Sequence, residues 1–264
     1  MTLTLYQIDA FANKLFKGNP AAICPLDKWL PDELMQSIAH ENNLSETAFF
    51  VPIDSTYEIR WFTPTCEVDL CGHATLAAAF VLFNILEYQQ DEIQFSSKSG
   101  TLTVTKNKNW LEMDFPAQLL TPCPTPKQIS EAFSITPIAC FKSEDYVVVF
   151  KDEQSILVAE PNLSLLNQLD LRGVIITAQG SDFDFVIRFF APKHGINEDP
   201  VTGSAFTQVA PYWAKQLNKS SLVAKQLSKR GGEIRCQHLG QRVKISGTAI
   251  KYMTGVITLP DMAK

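Results

Sequence analysis

Cys71, Gly72 and His73 stand together in the stretch DLCGHATLAAAF, residues 69–80. A thiol and an imidazole flank a glycine, directly ahead of a run of small and apolar residues. That combination allows three chemistries: metal ligation, catalysis by sulfur, or anion binding by backbone amides at a helix start. The metal reading fails on spacing. Cys66, Cys71 and His73 give C-x4-C-x-H, which is not a structural zinc pattern, no second Cys/His pair follows, and His194 and Cys236 stand alone. The sulfur reading makes Cys71 a candidate nucleophile or base, because a helix N-terminus lowers a thiol pKa; the plainer alternative is a compact packing residue. The anion reading gains from a second glycine-led start, Gly203-Ser204-Ala205, which repeats the Gly-polar-Ala pattern of Gly72-His73-Ala74. Two such helices each present free N–H groups and a positive dipole end, and small residues let a ligand reach the backbone.

Titratable partners are then needed. Glu46 lies in NNLSETAFF, residues 42–50, where a polar stretch opens onto an apolar strand. Desolvation there raises a carboxyl pKa toward neutrality and makes it a usable general acid or base. His73 is the group expected to titrate near neutral pH, with Asp199 as the carboxylate that orients and charges it. A His–Asp pair and a Glu around an anion-binding cleft make a proton-shuttling site.

The elements that must carry these residues follow from periodicity. Residues 3–8 alternate with period two and read as a strand, as do 57–62, 93–97, 102–105 and 110–115. Residues 31–42 open with Pro and two acids and then place Leu34, Met35 and Ile38 at helical spacing. Residues 72–86 and 203–217 read as helices, with a shorter one at 127–133. Further strands are expected near 146–150, 155–159, 174–177, 183–190, 233–238, 241–246 and 249–258. TPCPTP, residues 121–126, carries three prolines and reads as a linker.

An internal repeat accompanies this pattern. IRWFTP, from Ile59, matches IRFFAP, from Ile187, in four of six positions at an offset of 128. Held at that offset, Cys71 falls on Asp199, and the two glycine-led helices align if three more residues sit in the second turn. The order strand, proline, reactive residue, glycine, helix occurs twice, which implies two similar lobes.

Bulk properties narrow the class. The chain has 264 residues, 45% hydrophobic and 19% charged, which is globular composition with ample core. A net charge of -5 offers no footprint for nucleic acid, and the one short basic cluster, residues 225–230, has no interleaved aromatic platform and reads as a solvated strand edge or turn. The start, MTLTLYQIDAFANKL, lacks the basic region of a signal peptide. The longest apolar stretch, 74–86, is interrupted by Asn84 and falls short of the ~20 residues a bilayer needs. The six cysteines follow no framework spacing and read as reduced thiols. A soluble cytoplasmic protein with no membrane and no nucleic-acid partner is expected.

GNPAA (18–22), SETAFF (45–50), IRWFTPTCEVDLCGHATLAAA (59–79) and EDPVTGSAF (198–206) occur in this order. Together they resemble the PhzF-like family of phenazine-biosynthesis proteins, relatives of diaminopimelate epimerase and, more distantly, of proline racemase. The resemblance implies an α+β fold of the diaminopimelate-epimerase type, with two pseudo-symmetric lobes, each an antiparallel β-barrel-like sheet around a central helix. The N-terminal lobe then spans residues 1–120, joined by the C-terminal strand at about 249–264, and the C-terminal lobe spans 121–248. The resemblance further implies chemistry with no cofactor and no metal, a small carboxylate substrate in a cleft between the lobes, and a homodimer. Position by position it makes Glu46, His73 and Asp199 catalytic, and Asn19, Gly72, His73, Gly203 and Ser204 substrate-binding. A catalytic cysteine of the epimerase relatives falls on Cys71, while the second is replaced here by Asp199. That favours Glu-centred general acid–base isomerisation over two-thiol racemisation. The alternatives are an amino-acid racemase or epimerase using Cys71, and a non-catalytic carboxylate-binding protein on the same scaffold.

Overall fold

A computed structural model describes residues 2–259. The chain divides into two units, one drawn from residues 2–114 and 247–259 and the other from residues 115–246. Of the C-terminal strand expected at about 249–264, residues 260–264 lie outside the described residues.

The first unit opens with β1 (Thr2–Ala10), β2 (Asn19–Pro25), α1 (Asp32–Asn42), β3 (Glu46–Ile53), β4 (Thr56–Phe62) and β5 (Glu67–Val68). It continues through α2 (Gly72–Asn84), β6 (Glu92–Ser97), β7 (Gly100–Asn107) and β8 (Trp110–Pro116). The second unit contains β9 (Thr121–Pro122), α3 (Lys127–Phe133), β10 (Ala139–Lys142), β11 (Tyr146–Val149), α4 (Glu153–Leu157) and α5 (Leu163–Leu166). It then runs through β12 (Val174–Gln179), β13 (Phe185–Ala191), β14 (Ile196–Asp199), α6 (Gly203–Leu217), β15 (Ser221–Gln226), β16 (Gly232–Leu239) and β17 (Arg242–Gly247). The chain closes with β18 (Ala249–Thr258), which pairs antiparallel with β1 in the first unit.

The pairing pattern is the same in both units. In the first, β1–β2 is antiparallel, β2–β3 parallel, β3–β4 and β4–β5 antiparallel, β4–β6 parallel, then β6–β7 and β7–β8 antiparallel. In the second, β10–β11 is antiparallel, β11–β12 parallel, β12–β13 and β13–β14 antiparallel, β13–β15 parallel, then β15–β16 and β16–β17 antiparallel. The internal repeat seen in IRWFTP and IRFFAP is therefore a repeat of topology. Each sheet is mixed rather than antiparallel throughout, because the connections through α1, α2, α4–α5 and α6 bring the chain back as a parallel strand.

The helix at the centre of each unit explains its sequence. Ten of the thirteen residues of α2 are buried, and a helix that is apolar on every side belongs inside a wrapped sheet. Ala77, Ala78 and Ala79 are fully buried, and their small side chains admit the strands closely. In the second unit α6 buries Phe206, Val209, Ala210 and Trp213, with Trp213 stacked on Phe185 at 5.9 Å and donating to Thr177 Oγ1 at 2.9 Å. Pro211 inside α6 removes a donor, and the carbonyl this would orphan, that of Thr207, accepts instead from the Gln118 amide at 3.0 Å.

Three sequence expectations change. Residues 155–159 are not a strand: Asp152 accepts from the Ser155 amide and caps α4, whose Ile156 turns into the core. Residues 121–126 are not wholly a linker, since Thr121–Pro122 pairs with β10, in a two-residue strand short enough to tolerate proline. The third concerns the alignment of the two repeats. Arg60 on β4 binds Glu67 of β5 (Nε to Oε1, 2.7 Å), and Arg188 on β13 binds Glu198 of β14 in the same way (2.6 Å). Each guanidinium also lies over a phenylalanine two residues on, Phe62 and Phe190. Those clasps set Glu67 against Glu198, so Cys71 corresponds to Thr202 and not to Asp199. The three extra residues sit in the one-turn 3-10 segment Pro192–His194, ahead of Glu198 and not after it.

Candidate active site

The first cluster is built on β2, β3 and the start of α2. Gly18 has φ +68, and a Cβ there would meet the Ala10 carbonyl oxygen at 2.1 Å, so only glycine makes this turn into β2. Asn19 follows as the first residue of β2, fully buried. β3 lies parallel to β2 with Glu46 beside Ala21, which brings Glu46 to the same end of the sheet as Asn19. Cys71, extended at φ -146, is the N-cap of α2, and His73 follows in the first turn.

These four side chains meet. His73 Nε2 lies 3.2 Å from Glu46 Oε2, and its Nδ1 lies 3.4 Å from Asn19 Nδ2 and 3.5 Å from Cys71 Sγ. Asn19 Oδ1 accepts from Ser45 Oγ at 3.3 Å, which turns its amide nitrogen toward the ring. Nδ1 is then the acceptor, and the ring proton sits on Nε2, facing Glu46. Burial lowers the His73 pKa to about 3, so the ring is neutral at physiological pH. The expectation that His73 titrates near neutrality is corrected, because desolvation outweighs the carboxylate beside it. With a neutral ring the contact with Glu46 is not an ion pair. Although the two atoms are close, His73 Nε2 is buried without a well-aligned hydrogen bond. Such loose geometry at a buried polar atom is what a catalytic group shows before substrate tightens it.

Glu46, Cys71 and His73 offer three ligating atoms within 4.8 Å of one another. However, the ring turns Nδ1 to the thiol and Nε2 to the carboxylate, so one ion on one nitrogen is poorly placed for both remaining ligands. The arrangement suits a proton path through the ring better than a chelate.

The second cluster surrounds the start of α6. Thr202, also extended at φ -112, is its N-cap. The Thr202 hydroxyl donates to Asp199 Oδ2 at 2.5 Å, and buried Gln226 ties the segment by accepting from the Thr202 amide and donating to the Asp199 carbonyl. Ser204 Oγ accepts from Arg172 Nη2 at 3.1 Å. Arg172 in turn donates from Nε to fully buried Asp145 Oδ1 at 2.9 Å, and pairs through Nη1 with Glu144 at 2.9 Å. Gln208, one turn into α6, donates to Asp145 Oδ2 at 2.7 Å and accepts from the Asp145 amide at 3.1 Å. Burial works against the Arg172 charge, but Asp145, Glu144 and Asp199 outweigh it and raise its pKa. Because Ser204 Oγ accepts from the guanidinium, its own hydroxyl hydrogen is directed away from Arg172.

The structure thus gathers Asn19, Glu46, Cys71, Gly72 and His73 in the first unit, and Asp199, Gly203 and Ser204 in the second. Arg172, Asp145, Gln208 and Gln226 were missed. No local signal marks them, because Arg172 and Asp145 are 27 positions apart, and Asp145 and Gln208 are 63 apart. One feature is common to both helix starts: neither Cys71 nor Thr202 caps its helix with its side chain. The short helices α4 and α5 are capped by Asp152 and Asn162, while α1 and α3 follow prolines that also supply no side-chain cap. Uncapped first-turn amides are anion sites in waiting.

Two wrapped units with glycine-led, uncapped central helices define an α+β protein of the epimerase type. A family model for phenazine biosynthesis-like proteins, PhzC-PhzF, matches residues 8–255. An uncharacterised isomerase of Pseudomonas aeruginosa is 51% identical over 98% of this chain and 100% of its own. A PhzF-family phenazine biosynthesis protein from Enterococcus faecalis superposes with a TM-score of 0.96 at 47% identity, over 98% of this chain and 100% of that one. A hydroxyproline epimerase from Agrobacterium vitis shares the fold at a TM-score of 0.64 and 10% identity, over 98% and 93% of the two chains. The chain belongs to the PhzF-like family, whose relatives here include proteins named as isomerases. No described helix is long and apolar enough to cross a membrane.

Proposed function

We propose that this protein is a cofactor-independent isomerase that moves a proton on carbon of a small carboxylic acid, with Glu46 as the acid–base group. The observation that carries the reading is the Glu46–His73 contact, a carboxylate and a neutral, buried imidazole at 3.2 Å, beside the uncapped start of α2. The amides of Gly72 and His73 hold an anionic oxygen and stabilise the charge that develops as the proton leaves. His73, kept as the Nε2–H tautomer by Asn19, donates toward Glu46 or toward the oxygen beside it. A neutral imidazole does this without claiming the proton that Glu46 must take and return. In the second unit, the amides of Gly203 and Ser204, with the Ser204 hydroxyl set by Arg172, form a separate anion-holding set. Asp199 acts there through Thr202.

One observation favours a second reading. Cys71 Sγ is buried 3.5 Å from His73 Nδ1, so the ring also connects to a thiol, as a cysteine-dependent racemase or epimerase would require. The residue that corresponds to Cys71 in the other unit is Thr202, which has no thiol. This weighs against two-thiol chemistry and leaves Cys71 at most one of two different bases.

Proton NMR in D2O decides between them, with trans-2,3-dihydro-3-hydroxyanthranilate and free amino acids as the panel. Deuterium entering a carbon position, lost in Glu46→Gln and retained in Cys71→Ala, supports the carboxylate shuttle. Loss in Cys71→Ala moves the protein to the thiol reading. Saturable binding of an acid from the panel without exchange in the wild type makes it a carboxylate-binding protein.

A further inference from the structure

Outside both clusters, Cys123 and Cys140 lie together in the second unit, and both are free thiols. β9 and β10 pair antiparallel with Pro122 opposite Phe141, and the next pair in that register is Cys123 opposite Cys140. The Cys123 amide donates to the Cys140 carbonyl at 3.0 Å, so the two residues form a hydrogen-bonded antiparallel pair. Such pairs hold their Cα atoms ~5.5 Å apart, inside the range a disulfide spans. The sulfurs are 3.7 Å apart, and closing them to the ~2.05 Å of a disulfide requires side-chain rotation together with a local approach of the two strands, because opposed Cβ atoms of such a pair stand up to ~5.5 Å apart and a disulfide needs ~3.5–4.5 Å.

The two thiols have different surroundings. Cys140 is buried in the core formed by α3, β11, β12 and their neighbours, while Cys123 is half-buried and packs on the edge of that core. Cys123 stands between Pro122 and Pro124, whose rings fix the chain in an extended form and hold the thiol in place. An accessible thiol beside a shielded one is the arrangement of an attacking and a resolving cysteine.

We propose that Cys123 and Cys140 form a redox-active dithiol, which a low-molecular-weight disulfide such as glutathione disulfide closes to an intrachain disulfide. The Cys123 thiolate attacks one sulfur of glutathione disulfide, forming a mixed disulfide and releasing one glutathione. The Cys140 thiolate then attacks Cys123 Sγ, forms the Cys123–Cys140 bond and releases the second glutathione. Two protein thiols are oxidised, one glutathione disulfide is reduced, and the two protons end on the released thiols. Burial, and the contact with Cys123, push the Cys140 thiol up to about 12, which keeps it the slower, resolving partner until the mixed disulfide has formed. The bond would fasten the proline-rich segment that begins the second unit to β10.

Intact-mass and peptide-mapping measurements on the full chain test this, in a Cys66→Ser background that removes the exposed competing thiol. With glutathione disulfide, that protein should lose about two mass units as two thiol hydrogens leave, yield a Cys123–Cys140 linked peptide, and recover its mass in dithiothreitol. Cys140→Ser should stop at the glutathione adduct on Cys123. Cys123→Ser should take up no glutathione at Cys140. The closed form should also melt about 5 °C higher than the reduced form. No mass loss in the Cys66→Ser protein, or a linked pair other than Cys123–Cys140, overturns the proposal. So does a Cys140→Ser protein with no adduct at Cys123. These readouts are independent of isomerase activity.

Discussion

The starts of α2 and α6 are built alike and equipped differently. Each follows a short strand clasped by an Arg–Glu pair, each begins with glycine, and neither is capped by its own side chain. Around α2 the neighbours are a carboxyl, a neutral imidazole and a thiol, Glu46, His73 and Cys71, with Glu46 Oε2 and His73 Nε2 buried and lacking a well-aligned hydrogen bond. Around α6 the neighbours form a closed network of fixed charge, with Arg172 held by Asp145 and Glu144, and Asp145 held by Gln208. A proton-transfer group needs freedom to change state, whereas an anion holder needs a charge that does not. One topology, duplicated, supplies the same helix start twice, and in the function proposed above the side chains divide proton transfer from anion binding.

The sharpest way to break this contrast is Glu46→Gln. If α2 carries the proton chemistry, exchange of a substrate C–H with D2O should fall about 10³-fold, with the far-UV spectrum unchanged. An unchanged exchange rate would strip α2 of that role. The counterpart at α6 is Asp145→Asn, which leaves Arg172 partly unmatched. Breaking a fully buried pair costs ~3–5 kcal/mol, and because Arg172 is 30% exposed a loss of about 2 kcal/mol is expected in urea unfolding. A cost near zero would show that this network is not the rigid support described.

A third difference lies in pH. Burial holds His73 at about 3 in the folded chain, against ~6.5 unfolded. Between those values the unfolded chain binds one more proton, so stability is full above pH ~6.5 and falls as pH drops toward 3, by up to about 1.4 kcal/mol per pH unit. His73→Gln should flatten that part of the profile, measured by denaturant unfolding at pH 7, 6 and 5. An equal slope in both proteins would mean that the folded ring titrates normally. The smallest effect is expected for Asn19→Ala. Losing the partner that sets the ring tautomer should slow exchange about tenfold, the worth of one hydrogen bond, while leaving the α6 network intact. A rate within experimental error of the wild type would show that another group sets the tautomer.

Much of this was legible in the chain. Helices 127–133 and 203–217 fall where their patterns place them, and the helix expected at 72–86 stops only at Asn84. Glu46 and His73 were visible because each sits in a short motif at the edge of an apolar run. The strand expected at 155–159 failed because Asp152 capping outweighs a short apolar stretch that suits either structure.

By itself the sequence determined the class, the repeat and the two glycine-led helix starts, since these depend on neighbours within one turn or one pleat. Only the tertiary structure decided what surrounds each start. Thr202 replaced Asp199 as the counterpart of Cys71 once two Arg–Glu clasps fixed the register. His73 became a neutral ring because burial, which no local pattern reports, outweighs the carboxylate beside it. Arg172, Asp145 and Gln208 became one network, and Cys123 met Cys140, because strand pairing and helix packing join positions that are 17 to 63 residues apart.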